Sequence, residues 1–290
     1  MSTSVNTNAL TLLRKLGEEL RRIRLEAGYR KQVDVAEILG CSQGKISYVE
    51  RGKRWPDTAL LRGMFEAYKV DEVKRAEIEA TVSAGRSIRN WWDEPEFREL
   101  FSGDARKLFP LEDSAEKIWV HSGTYVPGLL QTRAYIEALA EFGQKDESAL
   151  HRERFVKARV KRQEVLTRQR PVLLNALVLE AALRTVVGGP EVMKQQLQYL
   201  RQMTGHTHVT LRAIPYSAGA AAAIGTPFMV FDFPGSEDLS VASRETTNND
   251  DVTDDPFVVR QTRRKFADLA GHALSPTETT SLLEEIEKAL

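Results

Sequence analysis

A single cysteine, Cys41, stands in the 290 residues, so the chain has no means of forming an internal disulfide or a cysteine-rich zinc site. Charge of one sign is lacking too. The 41 Lys and Arg balance 41 Asp and Glu for a formal net charge of zero, which excludes a global electrostatic pull on nucleic acid. No run approaches the roughly 20 apolar residues that span a bilayer as a helix. The first residues, MSTSVNTNALTLL, have neither a basic start nor a long apolar core and do not read as a secretory signal. A cytoplasmic protein with no membrane partner is expected.

Catalytic signatures are equally scarce. The stretch Gly219-Ala220-Ala221-Ala222-Ala223-Ile224-Gly225 is bounded by glycine but lacks the Lys-Ser/Thr of a phosphate-binding loop. Neither Gly-x-Gly-x-x-Gly nor Gly-x-Ser-x-Gly occurs. Small residues there suit a loop that folds over a partner or a pocket. His206 and His208, two apart, fall on one face of a strand with no third Cys, Asp or Glu ligand beside them, and read as surface or structural histidines. The expectation is a protein that is not an enzyme and holds no cofactor and no metal.

What the chain does have is length for two domains, each with a sizeable core, and the composition of an ordinary globular protein. Its charge is unevenly spread. Residues 1–56 carry eleven Lys and Arg against six Asp and Glu, a local excess of the kind a phosphate-facing module needs.

That basic region ends in QVDVAEILGCSQGKISYVERGKRWP, residues 32–56. It reads as two short helices around a tight turn. Val35, Ala36, Ile38 and Leu39 offer an apolar face on the first helix, and Gly40 ends it, because glycine takes the left-handed backbone of a helix terminus at little cost. Cys41 falls in the turn as a small buried side chain. Ser42 stands where the second helix needs an N-cap. Ile46 and Val49 point inward at i, i+3 spacing, which leaves Gln43, Gly44, Lys45, Ser47 and Tyr48 on other faces. Such a pair, with a small polar outward face on its second helix, fits a DNA major groove. Gln43 has the chemistry to pair bidentately with adenine, Ser47 to donate or accept, and Lys45 to read guanine or hold a phosphate. Arg51, Lys53 and Arg54 leave the helix end as a cluster suited to the DNA backbone. Gly44 is unusual inside a helix, and lets the backbone approach the bases closely.

Ala36, Gly40, Ser42, Ile46, Glu50, Gly52 and Pro56, with the preceding LGEELRRIRLEAG at residues 16–28, resemble the Xre-type (Cro/repressor-like) helix-turn-helix regulators over about residues 14–70. The resemblance implies a phosphate contact for Gln32. The chain departs from the family in Gly28-Tyr29-Arg30-Lys31-Gln32, one residue longer than usual and without the customary Thr cap.

Beyond the motif, 1–11 reads as polar and frayed, and Leu12, Leu16, Leu20 and Ile23 recur at helical spacing. Pro56 with Asp57 or Thr58 breaks the chain and starts a helix carrying Leu60, Leu61, Met64, Phe65 and Tyr68. A fifth helix follows over 71–84. The expected division is a DNA-binding domain of five helices over 1–84, a linker over 85–114 and a mixed α+β or α/β domain over 115–290. The pair Trp91-Trp92 has two readings, anchoring of the linker on a neighbouring surface, which we favour, and stacking on a ligand. Short strands are expected at 118–121, 172–178, 208–215, 228–233 and 239–244, and helices at 133–141, 148–167, 191–203, 256–270 and 275–289. Residues 148–170 hold eight Lys and Arg against two Asp and Glu. This run reads as a solvated face with Leu150, Phe155, Val160 and Leu166 turned inward, or as a surface for phosphates or an acidic partner. The acidic tract 248–255 is its candidate complement, or else a mobile loop.

A second resemblance rests on Val126-Pro127-Gly128-Leu129-Leu130-Gln131-Thr132, Arg162-Gln163 with Leu166, Glu180-Ala181-Ala182-Leu183-Arg184, Val187-Gly188-Gly189-Pro190 and Glu245-Thr246. These look like the C-terminal domain of unknown function in many actinobacterial Xre-type (WhiJ-like) regulators, over about residues 90–285. It implies a transcription regulator, often paired with a small partner protein in an antitoxin-like arrangement. The resulting expectation is a homodimeric repressor on a palindromic double-stranded DNA operator. Its second domain binds a small partner protein or, alternatively, senses a small molecule.

Overall fold

The computed structural model describes residues 9–100, 105–234, 240–245 and 250–290. The expectations for 1–8, Leu239, Thr246, Asn248 and Asn249 fall outside them. The described residues form two compact units, one ending at Asn90 and one running from Trp91 to Leu290.

The first unit is five helices: α1 (Ala9–Glu26), α2 (Gln32–Ile38), α3 (Gln43–Glu50), α4 (Thr58–Ala67) and α5 (Glu72–Ser87). Leu13, Leu16, Leu20 and Ile23 form the buried stripe of α1, with Leu13 taking the inward place expected of Leu12. Positive φ at Gly28, Gly40 and Gly52 turns the chain out of α1, α2 and α3. Asp57 and Asp71 cap α4 and α5, each accepting from the backbone N–H three residues on. One core joins the helices, with Val35, Ile46, Met64 and Phe65 at its centre, and Cys41 packs at its edge. Ile38 departs from expectation. It is 56% exposed, because the short α2 turns only Val35 and Ala36 inward.

The expected linker also differs from what is seen. Gly85, where the expected linker begins, lies inside α5, where the Trp55 ring occupies the space a Cβ would need (2.1 Å from its nearest atom). Trp91 and Trp92 belong to the second unit. The Trp91 ring centre lies 5.0 to 5.5 Å from those of Trp92, Phe97 and Phe109, edge-on to the first two, so the pair anchors on neighbouring aromatic rings. The short helices α6 (Pro95–Arg98) and α7 (Ala105–Ser114) complete this entry segment.

The second unit continues as β1 (Lys117–Ser122), α8 (Arg133–Gly143), α9 (Ala149–Arg162), β2 (Leu173–Leu179), α10 (Glu180–Arg184), α11 (Pro190–Met203), β3 (Val209–Ile214), β4 (Phe228–Asp232), β5 (Val241–Glu245), β6 (Asp250–Thr253), α12 (Pro256–Gly271) and α13 (Pro276–Ala289). Its six strands form one mixed sheet in the order β3-β2-β1-β4-β5-β6. β1, β2 and β3 are parallel, as helical crossovers through α8–α9 and α10–α11 require, and β4 to β6 add antiparallel. The architecture is α+β. β2 is apolar almost throughout, as a covered inner strand must be, and α12 lies against β3, β4 and β5. β6 comes from the acidic tract, where Asp250 and Asp251 are poor strand formers; pairing with β5 overrides their preference. Asp255, the end of that tract, caps α12. Among the described residues no helix is long and apolar enough to cross a membrane.

Candidate nucleic-acid interface

The helix-turn-helix pair, α2 and α3, is held from inside. Ser42 adopts extended backbone and its Oγ accepts from Lys45 N at 3.3 Å, the cap its position implies. Ile46 and Val49 are fully buried. Gly17 brings α1 onto the end of α3: a Cβ there would stand 2.6 Å from Glu50 O. At the start of α2, Lys31 gives no side-chain cap, in keeping with the missing Thr.

Behind α3 lies a polar chain that begins in the core. Arg24 Nε and Nη2 donate to Glu50 Oε1 and Oε2 at 2.6 and 2.9 Å, with both side chains nearly free of solvent. The bond to Glu50 raises the Arg24 pKa above its ordinary value, against the opposing effect of burial. Gln32 Nε2 donates to the same Glu50 Oε2 at 2.8 Å. A carboxylate only accepts, so this contact fixes which way the Gln32 amide faces. Its oxygen then accepts from Gln43 Nε2 at 2.6 Å. Gln43, exposed at the first residue of α3, keeps its Oε1 and a second Nε2 hydrogen for another partner. Those are the acceptor and donor that bidentate adenine pairing uses.

The remaining expected residues divide by placement. Ser47 is half-buried and Tyr48 is 49% exposed, with the Arg51 guanidinium 5.8 Å from its ring centre. Arg51, Lys53 and Arg54 are exposed at the end of α3. Lys45 is turned aside: its Nζ pairs with Asp57 at 2.9 Å, so contact with DNA requires it to leave that partner. The Asp57 pKa is held low by the Leu60 N–H it caps and then by Lys45. Sequence reasoning missed Arg24. Its signal was legible, because Leu16, Leu20 and Ile23 define the inward stripe of α1 and Arg24 lies on the same side; an arginine turned inward demands an anionic partner.

Four of the eight cations in the second unit's basic run form ion pairs within that unit. Lys157 pairs with Glu96 at 2.8 Å, Lys161 with Glu94 at 3.8 Å, Arg162 with Glu112 at 2.5 Å and Arg168 with Asp113 at 3.4 Å. These partners come from the entry segment and α7, and the acidic tract does not supply them. Arg159 donates to Gln131 Oε1 at 3.2 Å, and burial pulls its pKa down to about 10. Leu150, expected inside, is 55% exposed, while Val156 and Ala158 take the inward positions of α9.

The Val126–Thr132 phrase is clamped by glutamines. Gln163 donates to Gly128 O and Gln131 O at 3.0 and 2.7 Å. Gln196 donates to Leu130 O and accepts from Thr132 N, at 2.8 and 2.7 Å. Thr132 caps α8. These residues are explained by the fold. The His206 and His208 rings lie 5.4 Å apart, and among the described residues no three His, Cys, Asp or Glu side chains gather where a metal ion would fit.

Comparison with known families matches a helix-turn-helix domain over residues 15–78, the first unit's helices, which makes the chain a DNA-binding regulator in class. A domain of unknown function (DUF5753) matches over residues 105–285. No curated protein and no solved structure matches the chain. Because the second match spans well over half the sequence, the chain belongs to the DUF5753 family, with a helix-turn-helix domain ahead of the domain that defines it.

Proposed function

We propose that this protein is a sequence-specific transcriptional repressor of Xre type that binds a palindromic operator as a cytoplasmic homodimer, with α3 in the major groove of each half-site. The observation that carries this reading is the exposed Gln43 amide, anchored through Gln32 to a carboxylate that is itself fixed in the core. A reading group held in one orientation before contact loses little freedom when it binds. One α3 covers too few base pairs for selectivity, and two-fold symmetry doubles the footprint.

The second unit, in this reading of WhiJ-like kind, binds a small partner protein in an antitoxin-like arrangement. Phe142 is 86% exposed and Leu150 55%, on either side of the short α8–α9 connection. Large apolar side chains left in water there suit docking of another protein. No enzymatic step is part of this role. Selection of bound duplexes from a random pool tests the DNA reading: the full chain enriches a palindromic site, and Gln43→Ala weakens that site by about tenfold while random DNA is little affected. Equal loss on both refutes the role of Gln43.

A further inference from the structure

We propose that Gly44 is the point where α3 comes closest to DNA, its missing side chain making room for the C5-methyl group of a thymine. The inference rests on the DNA-binding reading above and concerns what one position of that surface faces.

Seven glycines lie in the first unit, and the fold accounts for six of them. Gly28, Gly40 and Gly52 have φ of 91°, 60° and 62°, a backbone that side chains rarely adopt. Gly17, Gly63 and Gly85 sit inside helices against walls: a Cβ would come within 2.6 Å of Glu50 O, 2.8 Å of Leu39 and 2.1 Å of Trp55. Gly44 has neither reason. It lies in the first turn of α3, its φ is not positive, and the nearest atom to an added Cβ is Ser42 Oγ at 4.0 Å. Glycine is also the poorest helix former after proline. No close neighbour and no backbone strain within the first unit asks for it, and the constraint is assigned here to a surface partner.

The position says what that partner presents. Gly44 adjoins Gln43, the exposed first residue of the helix, and precedes Ser47 by one turn, on the surface that meets base edges. Of the groups a base pair presents in the major groove, the thymine methyl is the one that needs no hydrogen-bond partner. A bare Cα surface offers it contact without obstruction.

Gly44→Ala in the full chain tests this, because stability and binding are expected to move in opposite senses. The thermal midpoint stays level or rises, since alanine favours the helix and meets no obstacle. Affinity for the selected operator falls by about tenfold, with random duplex little changed. Deoxyuridine, which lacks the methyl, placed at each thymine of the half-site in turn restores the variant's binding at one position. Unchanged operator affinity overturns the proposal, as does equal loss on random duplex, or failure of every deoxyuridine to restore binding. Failure of the parent reading looks different: the wild-type chain then selects no site, or selects one that Gln43→Ala leaves untouched.

Discussion

Arg24 and Glu50 meet in a two-point ion pair inside the first unit, Nε to Oε1 at 2.6 Å and Nη2 to Oε2 at 2.9 Å, joining the first helix to the last residue of α3. Replacing Arg24 by Met leaves a buried carboxylate without its partner, and a loss of about 3–5 kcal/mol is expected in urea unfolding. Adding Glu50→Leu to that variant removes the orphaned charge and recovers part of the loss.

Gln32 is the joint between that pair and the surface. Gln32→Ala gives up one hydrogen bond to Glu50 and is expected to cost about 1–2 kcal/mol of stability. Its larger effect falls on selectivity: with Gln43 released, the ratio of operator to random-duplex affinity narrows in gel-shift titrations.

Lys53 and Arg54 lie exposed past α3. If they meet phosphates as proposed, the double variant Lys53→Ala, Arg54→Ala weakens binding to all duplexes alike. It also lowers the slope of log affinity against log salt by about 3–4, because a dimer loses two cations from each protomer.

In the second unit Arg162 holds the nearly solvent-free Glu112 at two points, 2.5 and 2.8 Å. Arg162→Ala is expected to destabilise this unit by about 3–5 kcal/mol, and Arg162→Lys to recover little of it, because an ammonium does not match the carboxylate at two points. Urea unfolding followed by tryptophan fluorescence reads the change.

His121 in β1 is fully buried, and its Nε2 donates to Ile224 O at 2.7 Å. Burial lowers its pKa from the ordinary 6.5. The unfolded chain therefore takes up a proton near pH 6.5 that the folded one refuses, so this histidine's share of stability is present above that pH and fades below it. Unfolding midpoints at pH 7.5 and 5.5 should diverge more for the wild-type chain than for His121→Leu.

Much of this architecture was legible in the residue order. The five helices of the first unit, their Asp57 and Ser42 caps and the turn at Gly40 follow from local chemistry alone. So do five of the strands and the Ser275 cap of α13. What escaped depended on distant partners. Gly85 reads as the start of a linker until Trp55 is placed beside it. The ion partners of Lys157, Lys161 and Arg162 (Glu96, Glu94 and Glu112) come from the entry segment, and β6 exists through its pairing with β5. At the interface, the outward residues of α3 were readable from spacing, whereas the link from Gln43 through Gln32 to Glu50 joins three stretches that only folding brings together.

The inner and outer residues of α3 have separate duties. Ile46, Val49 and Glu50 hold it to the core, while Gln43, Gly44 and Tyr48 face away from it. Sequence drift on the outer positions is thus almost free of structural penalty. If α3 reads DNA as proposed, the same scaffold can acquire a new binding sequence through a few substitutions there, so duplicated copies of such a gene have a short route to separate targets.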